Sequence, residues 1–135
     1  LLNTKGLEGT INALMEVLPY SFYCFRIDPD SIESEAEGLE YSWGLSISEN
    51  EVHQLGITLD EHLEYIPPSR CVTSVILSPQ SEDSTKESLR FMLNYINEQH
   101  YAISGAVTGR LMLTENHEGT KRSFLEIHIP IENSY

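Results

Sequence analysis

Positive charge is scarce in this chain. Eight lysines and arginines stand against 21 aspartates and glutamates in 135 residues, a formal net charge of −13. A surface of that sign repels phosphate backbones and anionic membranes, which excludes nucleic-acid binding by this domain itself. The acidity serves either solubility or the attraction of cationic and amphipathic ligands, and composition leaves both open. Cysteine is equally sparse. Cys24 and Cys71 lack any CxxC or Cys/His spacing, so they read as reduced structural residues of a cytoplasmic protein, although spacing alone leaves a disulfide between them open. No run approaches the ~18 apolar residues of a membrane span, and no signal-peptide pattern is present. No glycine-rich phosphate loop occurs, since Gly105 and Gly109 lead into an apolar run without a following lysine. No serine lies in a GxSxG elbow. The five histidines, at 53, 62, 100, 117 and 128, show neither the helical nor the strand spacing that puts two ring nitrogens on one ion. They read as surface or loop residues. No metal or cofactor is expected, and a nucleophilic enzyme is disfavoured.

What is present fits one folded domain with an ordinary core: 40% apolar residues and no low-complexity tract. Leu7, Ile11, Leu14 and Leu18 keep an a/d rhythm up to Pro19. That stretch is either the tail of a dimerisation helix or a short helix lying on its own domain. "YSFYCFRID", residues 20–28, is aromatic and β-prone. Residues 28–40 then hold six acids and no base, the composition of a solvated loop. "EYSWGLSIS" alternates as a half-buried strand should, with Tyr41, Trp43, Leu45 and Ile47 on one side. Ser48 and Glu51 form a capping box for a short helix that Gly56 ends. Residues 57–66 are ambiguous up to the break at Pro67-Pro68, and "CVTSVILS" is another strand. Ser84 with Glu87 opens the clearest helix, whose core face is Leu89, Met92, Leu93 and Ile96. The runs 107–114 and 123–131, joined through "ENHEGTK", read as an antiparallel hairpin. The fold class is therefore α+β: a mainly antiparallel sheet with one long and one short packed helix.

The last strand carries the most informative stretch, "SFLEIHIPIE". Leucine and isoleucine take every second place, and Phe124, Glu126, His128 and Pro130 fill the others. Glu126 and His128 share a face about 7 Å apart by strand geometry. Such a pair performs general acid–base work if desolvated, and is equally common on wet strand faces. Aromatic residues cluster in strand contexts, and buried tyrosine and tryptophan tips need hydrogen-bond partners. A plain core and an aromatic-walled cleft both fit. The candidate ligand-binding residues are Tyr23, Tyr41, Trp43, Tyr65, Tyr95, Phe124, Glu126 and His128; such walls suit flat, apolar or cationic ligands.

"LNYINEQHYAISGAV" followed by "FLEIHIPIE" resembles the effector-binding (GyrI-like) domain of MerR-type bacterial transcription regulators. The family pattern is matched by Tyr95, Ile96, Tyr101, Ile103, Gly105, Glu126, Ile127, Ile129 and Pro130, over roughly residues 68–132. The resemblance implies two pseudo-repeated strand–helix–strand–strand halves enclosing a small-molecule pocket, with the Phe124/Glu126/His128 face turned toward it. No periodicity for the first repeat's long helix is found in the first half. The resemblance also implies a missing N-terminal DNA-binding domain, the sole route to DNA, and a homodimer in the full-length protein. Residues 1–19 would end the connecting helix and 20–135 form the effector domain. The chain's start at Leu-Leu-Asn, without methionine, fits a piece of a longer protein. Related domains often carry a glutamate four residues after the glycine matching Gly105; here Gly109 stands there, followed by Arg110. Glu126, Glu40 or Glu64 would then substitute, or the ligand is neutral or anionic. The alternative function is a free-standing domain of this fold acting as a hydrolase through Glu126 and His128.

Overall fold

The structure, a computed structural model, describes residues 21–35, 38–58, 61–78 and 82–134. The a/d stretch before Pro19 lies outside them. The elements run β1 (Ser21–Ile27), α1 (Pro29–Glu33), β2 (Tyr41–Ile47), α2 (Glu49–Leu55), β3 (Cys71–Ser78), α3 (Glu82–Glu98), β4 (Tyr101–Ile103), β5 (Val107–His117) and β6 (Thr120–Asn133). The fold is α+β, with a mainly antiparallel six-stranded sheet of order β2-β1-β5-β6-β3 and β4 pairing β6. No described helix is long and apolar enough to cross a membrane. The described residues divide into two compact units: those within 24–43 and 69–134, and those within 21–23 and 44–68.

In the larger unit the apolar periodicities meet as their spacing requires. Leu89, Met92, Leu93 and Ile96 of α3 are all buried, in one core with Ile27, Ile76, Val107, Ile127, Ile129 and Ile131 from the strands. The alternation of β6 thus puts its isoleucines under the helix, as the sequence pattern demanded. Helix α3 starts at Glu82, two residues before the expected Ser84. At the tip of the β5–β6 hairpin, Glu118 (φ 50°) and Gly119 (φ 79°) both lie in the left-handed region between the paired residues His117 and Thr120. Two such residues match the twist of the flanking strands. A bulge between Leu111 and Leu113 then interrupts the ladder.

Residues 28–40 correct the reading of a solvated loop. Asp28 caps α1, its carboxylate accepting from the Asp30 amide at 3.0 Å, and Pro29 opens the helix. Ile32 then sits fully buried in the core. Arg90 of α3 donates from Nε to the Ile32 carbonyl (3.0 Å) and from Nη2 to that of Ser34 (2.8 Å). The six acids hid one isoleucine, and a single buried side chain is enough to seat one helical turn.

The smaller unit contains α2, which forms as its capping box implies. Ser48 Oγ accepts from the Glu51 amide at 3.3 Å, and Gly56 closes the helix at φ 63°. Val52 is its buried residue. The strand expected over 40–48 is present as β2, yet Tyr41 and Trp43 are 57% and 56% exposed, so its first half is not half-buried. β2 ends the sheet order, and an edge strand has one strand neighbour fewer to cover its side chains.

Candidate functional site

Helices α1 and α3 share the core with the isoleucine face of β6, so the intervening residues of the central strands project to the opposite face. Register places them in rows across the sheet. One row reads Arg26 (β1), Thr108 (β5), His128 (β6) and Thr73 (β3). The next reads Cys24, Arg110, Glu126 and Val75. A third, apolar row is Leu113, Phe124 and Leu77, and Arg122 ion-paired to Glu115 lies beyond it. Val75, Leu77 and Leu113 are each 42% exposed or more, so this face displays apolar surface beside charge.

Glu126 is the hub of the charged row. Its Oε2 accepts from Arg110 Nε at 3.1 Å and from Nη2 at 2.6 Å. Its Oε1 lies 3.0 Å from His128 Nε2, and His128 Nδ1 in turn lies 3.2 Å from Thr73 Oγ1. The Arg110 hydrogen bonds hold the Glu126 carboxyl below its ordinary value of 4.5; partial burial opposes this, and the charges of Arg110 and His128 add to it. Four side chains from three strands thus form one continuous polar chain. The Glu126 side chain is 20% exposed and those of His128 and Arg110 are 36% and 40%, so water and solutes reach the cluster.

The expected site residues divide by position. Phe124, Glu126 and His128 stand together on this face. Tyr41 lines a shallow depression of about 480 Å³ with Arg26, Asp28, Glu40, Ser42 and Ala106. Trp43 lies on the same strand as Tyr41, three strand spacings (roughly 14 Å) from β6. Tyr95 belongs to α3 and therefore to the helical side of the sheet, away from Glu126. Tyr23 and Tyr65 belong to the smaller unit and are exposed. Sequence reasoning missed Thr73 and Arg26 as neighbours of the cluster, and it did not pair Arg110 with Glu126. Both cysteines are free thiols, and among the described residues no cluster of histidine, cysteine and carboxylate side chains fits a metal ion.

Glycine at position 109 has a steric reason. Gly109 is paired with Phe25 and Ile127 on the core face, and a Cβ there would overlap the Phe25 ring and come within 2.9 Å of Ile127 Cδ1. A glutamate at 109 would therefore point into packed apolar side chains, while Arg110 points to the open face. Compared with known proteins, the chain matches no family model, and no match is found among curated proteins or solved structures.

Proposed function

We propose that this chain is the small-molecule-sensing domain of a MerR-type transcription regulator, with the GyrI-like fold of two pseudo-repeated halves. In this reading the effector is an amphipathic or aromatic molecule, and its binding is relayed to a DNA-binding domain outside this chain as a population shift between two states of a dimer. One observation carries it: an accessible sheet face that sets the apolar row Leu113–Phe124–Leu77 beside the Arg110–Glu126–His128 cluster. Apolar surface with a few convergent polar groups is the usual composition of a ligand site. The order β3–α3–β4–β5–β6 supports it in part, since a strand, a helix and then antiparallel strands follow one another as one repeat requires, with the three-residue β4 as an extra strand. In this reading β1–α1–β2 would belong to the other half, in which α1 is five residues long.

A thermal-shift screen of amphipathic compounds tests the reading, because a ligand at 100 times its dissociation constant adds about 2.7 kcal/mol. Hits that stabilise the parent should lose their effect in Phe124→Ala and Leu77→Ser. Equal shifts in parent and both variants would remove the site from this face.

A hydrolase reading is favoured by one specific arrangement, the hydrogen-bonded series Thr73–His128–Glu126, which has the nucleophile–base–orienter form. Arg110 weakens it, because a carboxylate held by a guanidinium supports an imidazolium less well. Ester turnover that disappears in His128→Ala would establish it; saturable binding without product favours sensing.

A further inference from the structure

We infer that β3 is a self-association edge: a second copy of this chain adds its own β3 antiparallel to it, joining the two sheets across a two-fold axis at Ser74. This stands apart from the ligand-sensing reading, and neither needs the other.

β3 closes one end of the strand order, so among the described residues it has a strand neighbour on one side only. The Ile131 amide donates to the Arg70 carbonyl at 2.9 Å, which fixes the phase of the ladder. Val72, Ser74, Ile76 and Ser78 turn their backbone groups to β6. Cys71, Thr73, Val75 and Leu77 turn theirs outward, and among the described residues no backbone group pairs with them. Such a row of N–H and C=O groups is a template for another strand. Sheet edges are ordinarily blunted by a charge, a proline or a bulge. β3 reads CVTSVILS, with no charge and no proline, and it pairs with β6 in unbroken register over all 8 residues. The other end of the sheet differs: β2 carries Gly44 at its middle, and Glu40 and Glu49 flank it.

Charge selects the occupant. Two chains at −13 repel each other over most of their surface, so a contact between them belongs where acids are absent. Residues 65–81, with β3 inside them, are the longest stretch of the sequence without an aspartate or glutamate. Their single charged residue, Arg70, is engaged by Tyr101 and Asn133. The edge is also complementary to itself. With Ser74 opposite its own copy, Cys71 meets Leu77 and Thr73 meets Val75, so every outward residue finds a hydrogen-bonding partner. Pro79, just past the strand, lacks a donor and stops the ladder there.

The axis stands perpendicular to the sheet, so both copies keep α3 on the same side. Lys86 and Arg90 of α3 reach Gly38, Ile32 and Ser34, in the connection between β1 and β2. Tyr95 lies about 180° round the helix from Lys86, at 3.6 residues per turn, and therefore on the flank toward β3. It is exposed there, and Phe91, one turn earlier, is 77% exposed. Each copy thus brings an aromatic flank to the seam.

Sedimentation velocity of the full chain across a concentration series tests the proposal, with a particle of twice the 15.3 kDa chain mass expected. Val75→Lys and Val75→Pro should each weaken association at least about tenfold while keeping the parent's circular dichroism. The lysine brings two like charges together across the seam, and the proline removes an N–H that points away from β6. In a chain carrying Cys24→Ser and Cys71→Ser, Ser74→Cys should cross-link to its copy under mild oxidation. Residues directly opposite in such a pair have Cα atoms about 4.5 Å apart, within disulfide reach. Ser42→Cys, on the other edge strand, should not cross-link. A monomeric parent would overturn the proposal, as would a dimer equally tight in both Val75 variants or a Ser74→Cys chain that fails to cross-link. So would a monomer whose β3 amides gain exchange protection only when a foreign extended peptide is added.

Discussion

Replacing Glu126 by glutamine tests whether the polar chain across the open face contributes to stability through its charge. Glutamine keeps the shape and one acceptor oxygen, so the change removes charge with little loss of packing. Hydrogen bonds to charged groups contribute about 1.5–3 kcal/mol each, and Arg110 makes two to one oxygen. The Arg110 side chain is 40% exposed, so solvent screens the pair and rehydrates the arginine once its partner is lost. The expected cost of Glu126→Gln at pH 7 and low salt is therefore about 1 kcal/mol, equivalent to a melting point lower by about 4 °C. Because the folded Glu126 carboxyl lies below 4.5, its contribution is fully present above that value and is lost as pH falls through the folded-state pKa. Urea unfolding followed by far-ultraviolet circular dichroism, on parent and variant from pH 7 to pH 3, measures the difference. The gap should narrow progressively below about pH 4.5. A gap that is the same at pH 3 and pH 7 would refute the electrostatic account, and a double-mutant cycle with Arg110→Met showing no coupling would do the same.

Other substitutions probe the frame that holds this face. Gly109→Ala should destabilise by about 1–3 kcal/mol through overlap with the Phe25 ring, and Phe25→Leu added to it should recover part of that loss in the same urea assay. Ile32→Ala, at a fully buried position in α1, should cost about 2–5 kcal/mol; a cost below 0.5 kcal/mol, the usual limit for a surface site, would mean that α1 does not seat in the core. Gly119→Val should raise the denaturant sensitivity of the chain by about 1 kcal/mol or more, since a β-branched residue resists φ 79°, and amide exchange should show the loosening concentrated at the β5–β6 tip.

The elements with strong periodicity were legible before the structure. Leu89–Ile96 and the Leu/Ile alternation of β6 each announce one buried face, and those faces meet. Ser48 and Gly56 mark a helix by capping chemistry that acts within a few residues. What escaped notice depends on contacts remote in sequence. Ile32 is one apolar residue among acids, and only its packing beneath Arg90 and α3 distinguishes it from a loop residue. The partner of Glu126 is hidden for a different reason. Counting back from the His117–Thr120 pair sets Leu111 opposite Glu126, and the bulge between Leu111 and Leu113 moves Arg110 there instead. A shift of one residue exchanges the two faces of a strand, so one unpaired residue decides whether an arginine or a leucine stands beside the carboxylate. Of the aromatic residues picked out as pocket walls, Phe124 stands beside the cluster, because strand order, which composition does not reveal, separates it from Tyr41 and Trp43.

The position of β1 between β2 and β5 has a consequence for how this molecule is made. Cys24–Ile27 leave the ribosome before their ladder partners Val107–Arg110, which are synthesised eighty or more residues later. Those partners are in turn fixed by β6, which is threaded between β5 and β3 and also carries β4 at its far end. The nascent chain must therefore hold an aromatic, β-prone segment unpaired until its C-terminal hairpin has emerged, an interval in which such segments are exposed to aggregation. The acids crowded into residues 28–40 follow that segment directly and give it a strong negative charge while it waits. On this view the acidic stretch protects the growing chain before it does anything for the finished one.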